Sequence, residues 1–269
     1  MVVDFHTHIF PDKMAGKTIE LLAQRANIPA YADGTLSGLQ EELQRADVDM
    51  AVALPVLTRP ESFDGVLRFA QTVNEGFARG EHPVLSFACM HPDCENVEEK
   101  MRKIRELGFR GIKIHPDYQQ TYIDDERYIR ILNAAADENI VVVTHSGVDV
   151  GYPERVHCTP ERAVKALEKV KGDLKIVFAH YGACDMYGAT YELLAGKNVY
   201  FDTAFVLPTI PQEIFCKILE KHGDERVLFA SDSPWQSVAK SRQALSDMGI
   251  SQTAQENILS KNALYLLGM

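Results

Sequence analysis

Eight short runs rich in valine and isoleucine recur along this chain, separated by longer amphipathic stretches. They are Val2–Phe5, Met50–Val56, Val84–Met90, Gly111–His115, Ile140–His145, Lys175–His180, Val199–Thr203 and Val227–Ser231. Each run is nearly continuous in apolar residues. That is the pattern of strands buried on both faces, as in a parallel sheet covered by helices. Helical periodicity fills the intervals at Ser37–Arg45, Glu95–Leu107, Asp125–Asn139, Pro160–Lys171 and Gln212–His222. Gly108 and Gly172 stand where helix C-caps are expected, and Thr159-Pro160-Glu161 reads as an N-cap followed by proline in the first turn. Eight strand–helix units in 269 residues predict an α/β fold, a closed (β/α)8 TIM barrel in one domain spanning 1–269. An open doubly wound sheet is the competitor, but no GxGxxG follows the first strand. The connection from Ile9 to about Ala46 is long for a βα loop and predicts an extra helix over Lys13–Ala26, overhanging the C-terminal face. The tail from Gln252 to Met269 reads as two helices closing the barrel.

The formal net charge of −10 argues against a general nucleic-acid or anionic-membrane binder, which needs clustered Lys and Arg. No apolar run is long enough to span a bilayer, and the polar N-terminus lacks a signal-peptide core. The five cysteines show no CxxC spacing, so neither a structural zinc site nor a disulfide framework is expected. These features predict a cytoplasmic protein that acts on a small molecule. Apolar helix surfaces leave room for a homodimer.

In a parallel barrel the C-terminal ends of all strands meet on one face, so scattered residues become neighbours. His6 and His8 lie two apart at the end of the first strand and leave it on the same face. Later strands end in His145, His180 and Asp232. Imidazoles with a carboxylate suit Zn²⁺ or another divalent transition metal, and three or four protein ligands with one exchangeable water make a catalytic site. Each residue alone has a plainer reading: Asp232 can cap a helix, and a strand-end histidine can be structural. Asp202 can orient a histidine, and His91 can cap the following helix or line the rim. His82, His157 and His222 fall in helical or loop contexts expected at the surface.

With those residues in view, the chain resembles the amidohydrolase superfamily. Within it, the similarity is to the amidohydrolase-related branch (amidohydrolase 2) that includes relatives of aminocarboxymuconate-semialdehyde decarboxylase. The similarity runs through DFHTHIFP at 4–11, GFRGIKIHP at 108–116, THSG at 144–147, IVFAHYG at 176–182, NVYFDTA at 198–204, LFASDSPW at 228–235 and ILSKNALYLLG at 258–268. The resemblance implies that His6, His8, His145 and Asp232 hold the metal. It makes His180 a catalytic histidine, or a ligand to a second ion. Lys113 and His115 share one face of the fourth strand. For Lys113 three roles stay open: a carboxylated bridge between two ions, a substrate-carboxylate anchor, or a core ion pair. His115 is a pocket or ligand residue, and Arg59, Tyr118 and Trp235 are candidate substrate contacts.

The leading expectation is hydrolysis of a small amide, lactone or ester, carrying a carboxylate, by a metal-activated water. Asp232 would take the proton, and His180 or the metal itself would polarise the carbonyl. One ion is expected, with two as the variant. Non-oxidative decarboxylation in the same branch uses nearly the same residues and is the alternative. A catalytically silent metal-binding barrel is the third reading, and its signature would be a broken ligand set.

Overall fold

The computed structural model describes residues 1–269. Its strands are β1 (Val3–Thr7), β2 (Met50–Ala53), β3 (Val84–Ser86, continued as Ala88–Cys89), β4 (Gly111–Ile114), β5 (Val141–Thr144), β6 (Ile176–Phe178), β7 (Tyr200–Asp202) and β8 (Val227–Leu228). All pair in parallel with their sequence neighbours. β3 is pinched at Phe87, so its first piece pairs with β2 and its second with β4. The Phe87 amide still reaches the Ala53 carbonyl at 2.9 Å. The ring closes between the first and last strands: Phe5 N–H donates to Phe229, Asp232 N–H to His6 and His8 N–H to Ser233. The Asp4 carboxylate also accepts the amide and hydroxyl of Ser231 across this seam. The fold is therefore a (β/α)8 barrel, and every residue of β1, β2, β4, β5 and β6 is buried.

Two apolar layers follow from the strand pleat. Side chains pointing inward, among them Phe5, Val52, Phe87, Val143 and Val177, fill the barrel interior. Those pointing outward pack under the helices Leu36–Arg45, Phe63–Ala78, Val97–Glu106, Glu126–Asp137, Pro160–Lys169 and Gln212–His222. The Thr159 hydroxyl accepts the Arg162 amide and Pro160 opens that helix, as its sequence predicts. Gly108, at φ +82, follows the helix Val97–Glu106 in the left-handed conformation that lets the chain turn into β4. Gly172 also has positive φ, but its helix ends at Lys169, so it turns a loop rather than capping.

The extra helix of the first connection is present as Asp12–Ala26, ended by Asn27 at φ 52. The tail differs from expectation. Gln252–Glu256 and Asn262–Leu267 are joined through a π turn at Asn257–Lys261 instead of a loop. A continuous rod lets Ala263, Leu266 and Leu267 plug the barrel floor while Ile258 packs in the outer layer. No helix is long and apolar enough to cross a membrane.

Candidate metal centre

β1 delivers His6 and His8 to the barrel mouth, and the turn after β8 delivers Asp232. His6 Nε2 lies 3.2 Å from His8 Nε2 and 3.3 Å from Asp232 Oδ1, and His8 Nε2 lies 3.2 Å from Asp232 Oδ1. The three atoms form a nearly equilateral triangle. Ligands at about 2.0–2.1 Å from a tetrahedral ion stand about 3.3 Å apart. An octahedral ion with similar bonds gives edges near 3 Å. The observed edges match a ligand face.

The tautomers point the same way. His6 Nδ1 faces a carboxylate oxygen of Asp202 at 2.8 Å, and His8 Nδ1 faces the Leu54 carbonyl at 2.8 Å. Both partners only accept, so both Nδ1 atoms carry protons and both Nε2 atoms present lone pairs. Two lone pairs and a carboxylate oxygen at these separations repel unless positive charge compensates them; Lys113 Nζ meets only the His6 lone pair, at 3.0 Å. Asp232 Oδ1 is buried and has no hydrogen-bond donor, which fits a metal-binding atom. Burial, with Lys113 beside it, holds the His6 imidazole well below its usual pKa, so it stays neutral and ligand-ready. For Asp232 burial pushes the carboxyl pKa upward, while a proton on the facing His8, His6 or His180 ring pulls it below its usual range.

Asp232 has φ 70 and His180 φ 59, the left-handed region that costs a non-glycine residue about 1–3 kcal/mol. The Asp232 amide is held by the His6 carbonyl and the His180 amide by Asp202. Asp232 is not a helix cap, because the next helix, Val238–Ser246, is capped by Ser237. Asp202 anchors both sides: one oxygen takes the amides of His180 and Ala204, the other the His6 ring.

The fourth ligand implied by resemblance, His145, stands apart from this triangle. Its Nδ1 is 2.9 Å from His180 Nε2, and its ring stacks on His115 with centroids 4.3 Å apart and 8° between planes. His115, His145 and Asp149 offer a second cluster of donor atoms. His115 Nε2 is 3.5 Å and His145 Nε2 3.9 Å from Asp149. Lone pairs of stacked rings lie in separate parallel planes, so one ion cannot meet both without a ring rotation. Lys113 is buried, with Nζ 3.0 Å from His6 Nε2, where its ammonium donates to the ligand atom. Burial lowers its pKa to about 8. Lys113 also lines the cavity.

His180, Lys113, His115, Tyr118, Arg59 and Trp235 all border one cavity of about 740 Å³ above the triangle. Tyr118 packs edge-on against His115, and Arg59 is exposed at the rim without an ion pair. Two expectations fail. His157 and His222 are buried rather than at the surface: His157 bonds to Asp117 at 2.9 Å, and His222 stacks on Phe201. His91 does not cap the following helix, Val97–Glu106, whose N-cap is Asn96; it accepts the Asp93 amide within its own turn. Sequence reasoning missed Asp117 and Asp149, both beside His145. The available signal was an acid two to four residues after a strand-end histidine, in HPD and HSGVD.

Comparison with known proteins places this geometry in context. The amidohydrolase family model matches residues 3–269. No match is found among curated proteins. An uncharacterised TIM-barrel protein from Bordetella bronchiseptica superposes with TM-score 0.74 at 17% identity, covering 100% of this chain and 99% of that one. The 5-carboxyvanillate decarboxylase of Sphingomonas paucimobilis gives 0.70 at 14%, with 100% and 99% covered. A dihydroxybenzoic acid decarboxylase from a Polaromonas species, solved with bound manganese and an inhibitor, gives 0.72 at 14%, with 99% and 96% covered.

Proposed function

We propose that this chain, which belongs to the amidohydrolase family, is a divalent-metal-dependent decarboxylase of a small carboxylic acid. The observation that carries the proposal is the triangle of His6, His8 and Asp232, opening onto a largely apolar cavity. His6, His8 and Asp232 hold one ion; His145 faces the neighbouring cluster and reaches it only by turning. When bound, a divalent cation draws in the acid's oxygens and stabilises charge that develops as the carbon–carbon bond breaks. The donor set suits zinc or manganese. The similarity to decarboxylases, one of them with manganese, supports this reading over hydrolysis.

The residues divide the remaining work. In decarboxylation the electron pair of the broken bond stays on the substrate carbon, a proton takes the place of CO₂, and the CO₂ departs. His180 is the proton carrier: with a second proton on Nε2 it gives that proton to the carbon losing CO₂ and returns to the neutral form protonated on Nδ1. Its Nδ1 is fixed on the Ala204 carbonyl at 3.0 Å, which leaves Nε2 at the cavity wall beside His145. The apolar cavity wall favours neutral CO₂ over the ionised acid. Lys113 places positive charge beneath the site.

Hydrolysis of a lactone, ester or amide is the second reading. One observation favours it: Asp232 Oδ1 borders the cavity without a hydrogen-bond donor, placed to accept a proton from water. Metal-loaded protein offered a panel of aryl and alkyl carboxylic acids, lactones, esters and amides separates the two. Decarboxylation predicts CO₂ release that vanishes with chelator. Acid release from lactones or esters without CO₂ would overturn it.

A further inference from the structure

The extra helix of the first connection supplies part of the lining of the cavity that also holds the ligand triangle. Met14, Thr18, Leu22 and Ala26 recur every fourth residue of Asp12–Ala26 and all face the cavity. The neighbouring stripe, Ala15 and Ile19, is buried, with Ile19 lying beside Gly34 of the same connection. The helix thus carries two apolar stripes, of which only one is covered by protein. Val66 and Phe69 of the helix Phe63–Ala78 and Phe205 after β7 also line the cavity. At the rim Met14 is 58% exposed and Val150 39%, so the apolar lining continues out to solvent. Charged side chains line the cavity on the second connection, Arg59 and Glu61 before the helix Phe63–Ala78 and Asp64 and Arg68 on it, and all four are exposed.

Size decides what such a lining can take. A cavity of about 150 Å³ suffices for benzene. At about 740 Å³ this one far exceeds the room a single ring needs. The wall is also braced: Arg25 bonds to the Tyr152 hydroxyl and lies 4.9 Å over its ring, tying the helix to the loop after β5.

We infer that the substrate bears an extended apolar tail, which lies in the gallery between Asp12–Ala26 and Phe63–Ala78 while its acid group meets the metal triangle. This rests on the metal-centre reading above. Burial of the tail along Met14, Leu22 and Phe69 supplies the binding energy that positions the acid.

The test uses metal-loaded protein and a pair of chelating probes, acetohydroxamate and decanohydroxamate. The longer probe is expected to bind more tightly by roughly 200-fold if four methylenes are buried. Leu22→Glu should reduce that ratio at least tenfold. Phe69→Glu, in another helix, should do the same should Leu22→Glu fail to fold. A wild-type ratio below about fivefold would overturn the gallery and leave the metal centre standing. Failure of both probes to bind metal-loaded protein would refute the metal centre, and the gallery with it.

Discussion

Replacing Asp202 by Asn tests the tautomer logic of the site most sharply. Asp202 Oδ1 accepts the amides of His180 and Ala204 at 3.0 and 3.1 Å, and Oδ2 accepts the His6 Nδ1 proton at 2.8 Å. Asn can preserve the first two bonds only by turning its NH₂ group toward His6. Two donors then face each other, and His6 escapes by moving its proton to Nε2, the atom that must bind metal. Restoring the ligand tautomer leaves a buried donor unpaired, at a cost of about 1–3 kcal/mol. At 1.4 kcal/mol per decade, metal affinity falls roughly 5- to 150-fold. That range overlaps the 10- to 100-fold typical of carboxylates behind metal-bound histidines. Competition with a chromophoric chelator measures the affinity, and imidazole ¹⁵N spectra report the His6 proton. Wild-type affinity within twofold, with the proton still on Nδ1, would refute the argument.

Three other outcomes follow from the same geometry. Asp232→Asn should remove metal binding and lower turnover by roughly 10²- to 10⁴-fold, read by elemental analysis and CO₂ release. Lys113→Met should stabilise the metal-free protein by about 3 kcal/mol at pH 7, because burial lowers the lysine pKa from 10.5 to about 8. The unfolded chain holds this proton more tightly, so the gain is full below pH 8 and disappears as pH rises toward 10.5; a gain independent of pH would contradict it. Gly147→Ala should destabilise by roughly 3 kcal/mol or more in thermal melts, since φ is +83 and a Cβ would lie 2.0 Å from the Cys184 amide nitrogen.

Much of the barrel was legible because buried parallel strands read as continuous apolar runs, and all eight strands fall within such runs. His6, His8 and Asp232 were legible for a different reason: closure of the ring brings the first strand beside the last. The orientation of His145 was not, since a ring's rotation depends on what it stacks against, here His115. His157 and His222 misled because loop and helix context says nothing about a carboxylate or aromatic ring arriving from elsewhere in the chain. The tail misled at Asn257–Lys261, where one added residue per turn keeps a helix continuous although its periodicity breaks. Asp149 lay in plain view four residues after His145, but its place in the cavity is set by a turn closed on the Gly151 amide.

The most direct measurement is anomalous diffraction from crystals soaked in manganese or zinc. A single strong peak about 2.0–2.2 Å from His6 Nε2, His8 Nε2 and an Asp232 oxygen is the predicted result. A peak beside His115, His145 and Asp149 with none at the triangle, or no peak in a folded, metal-soaked protein, would contradict the account.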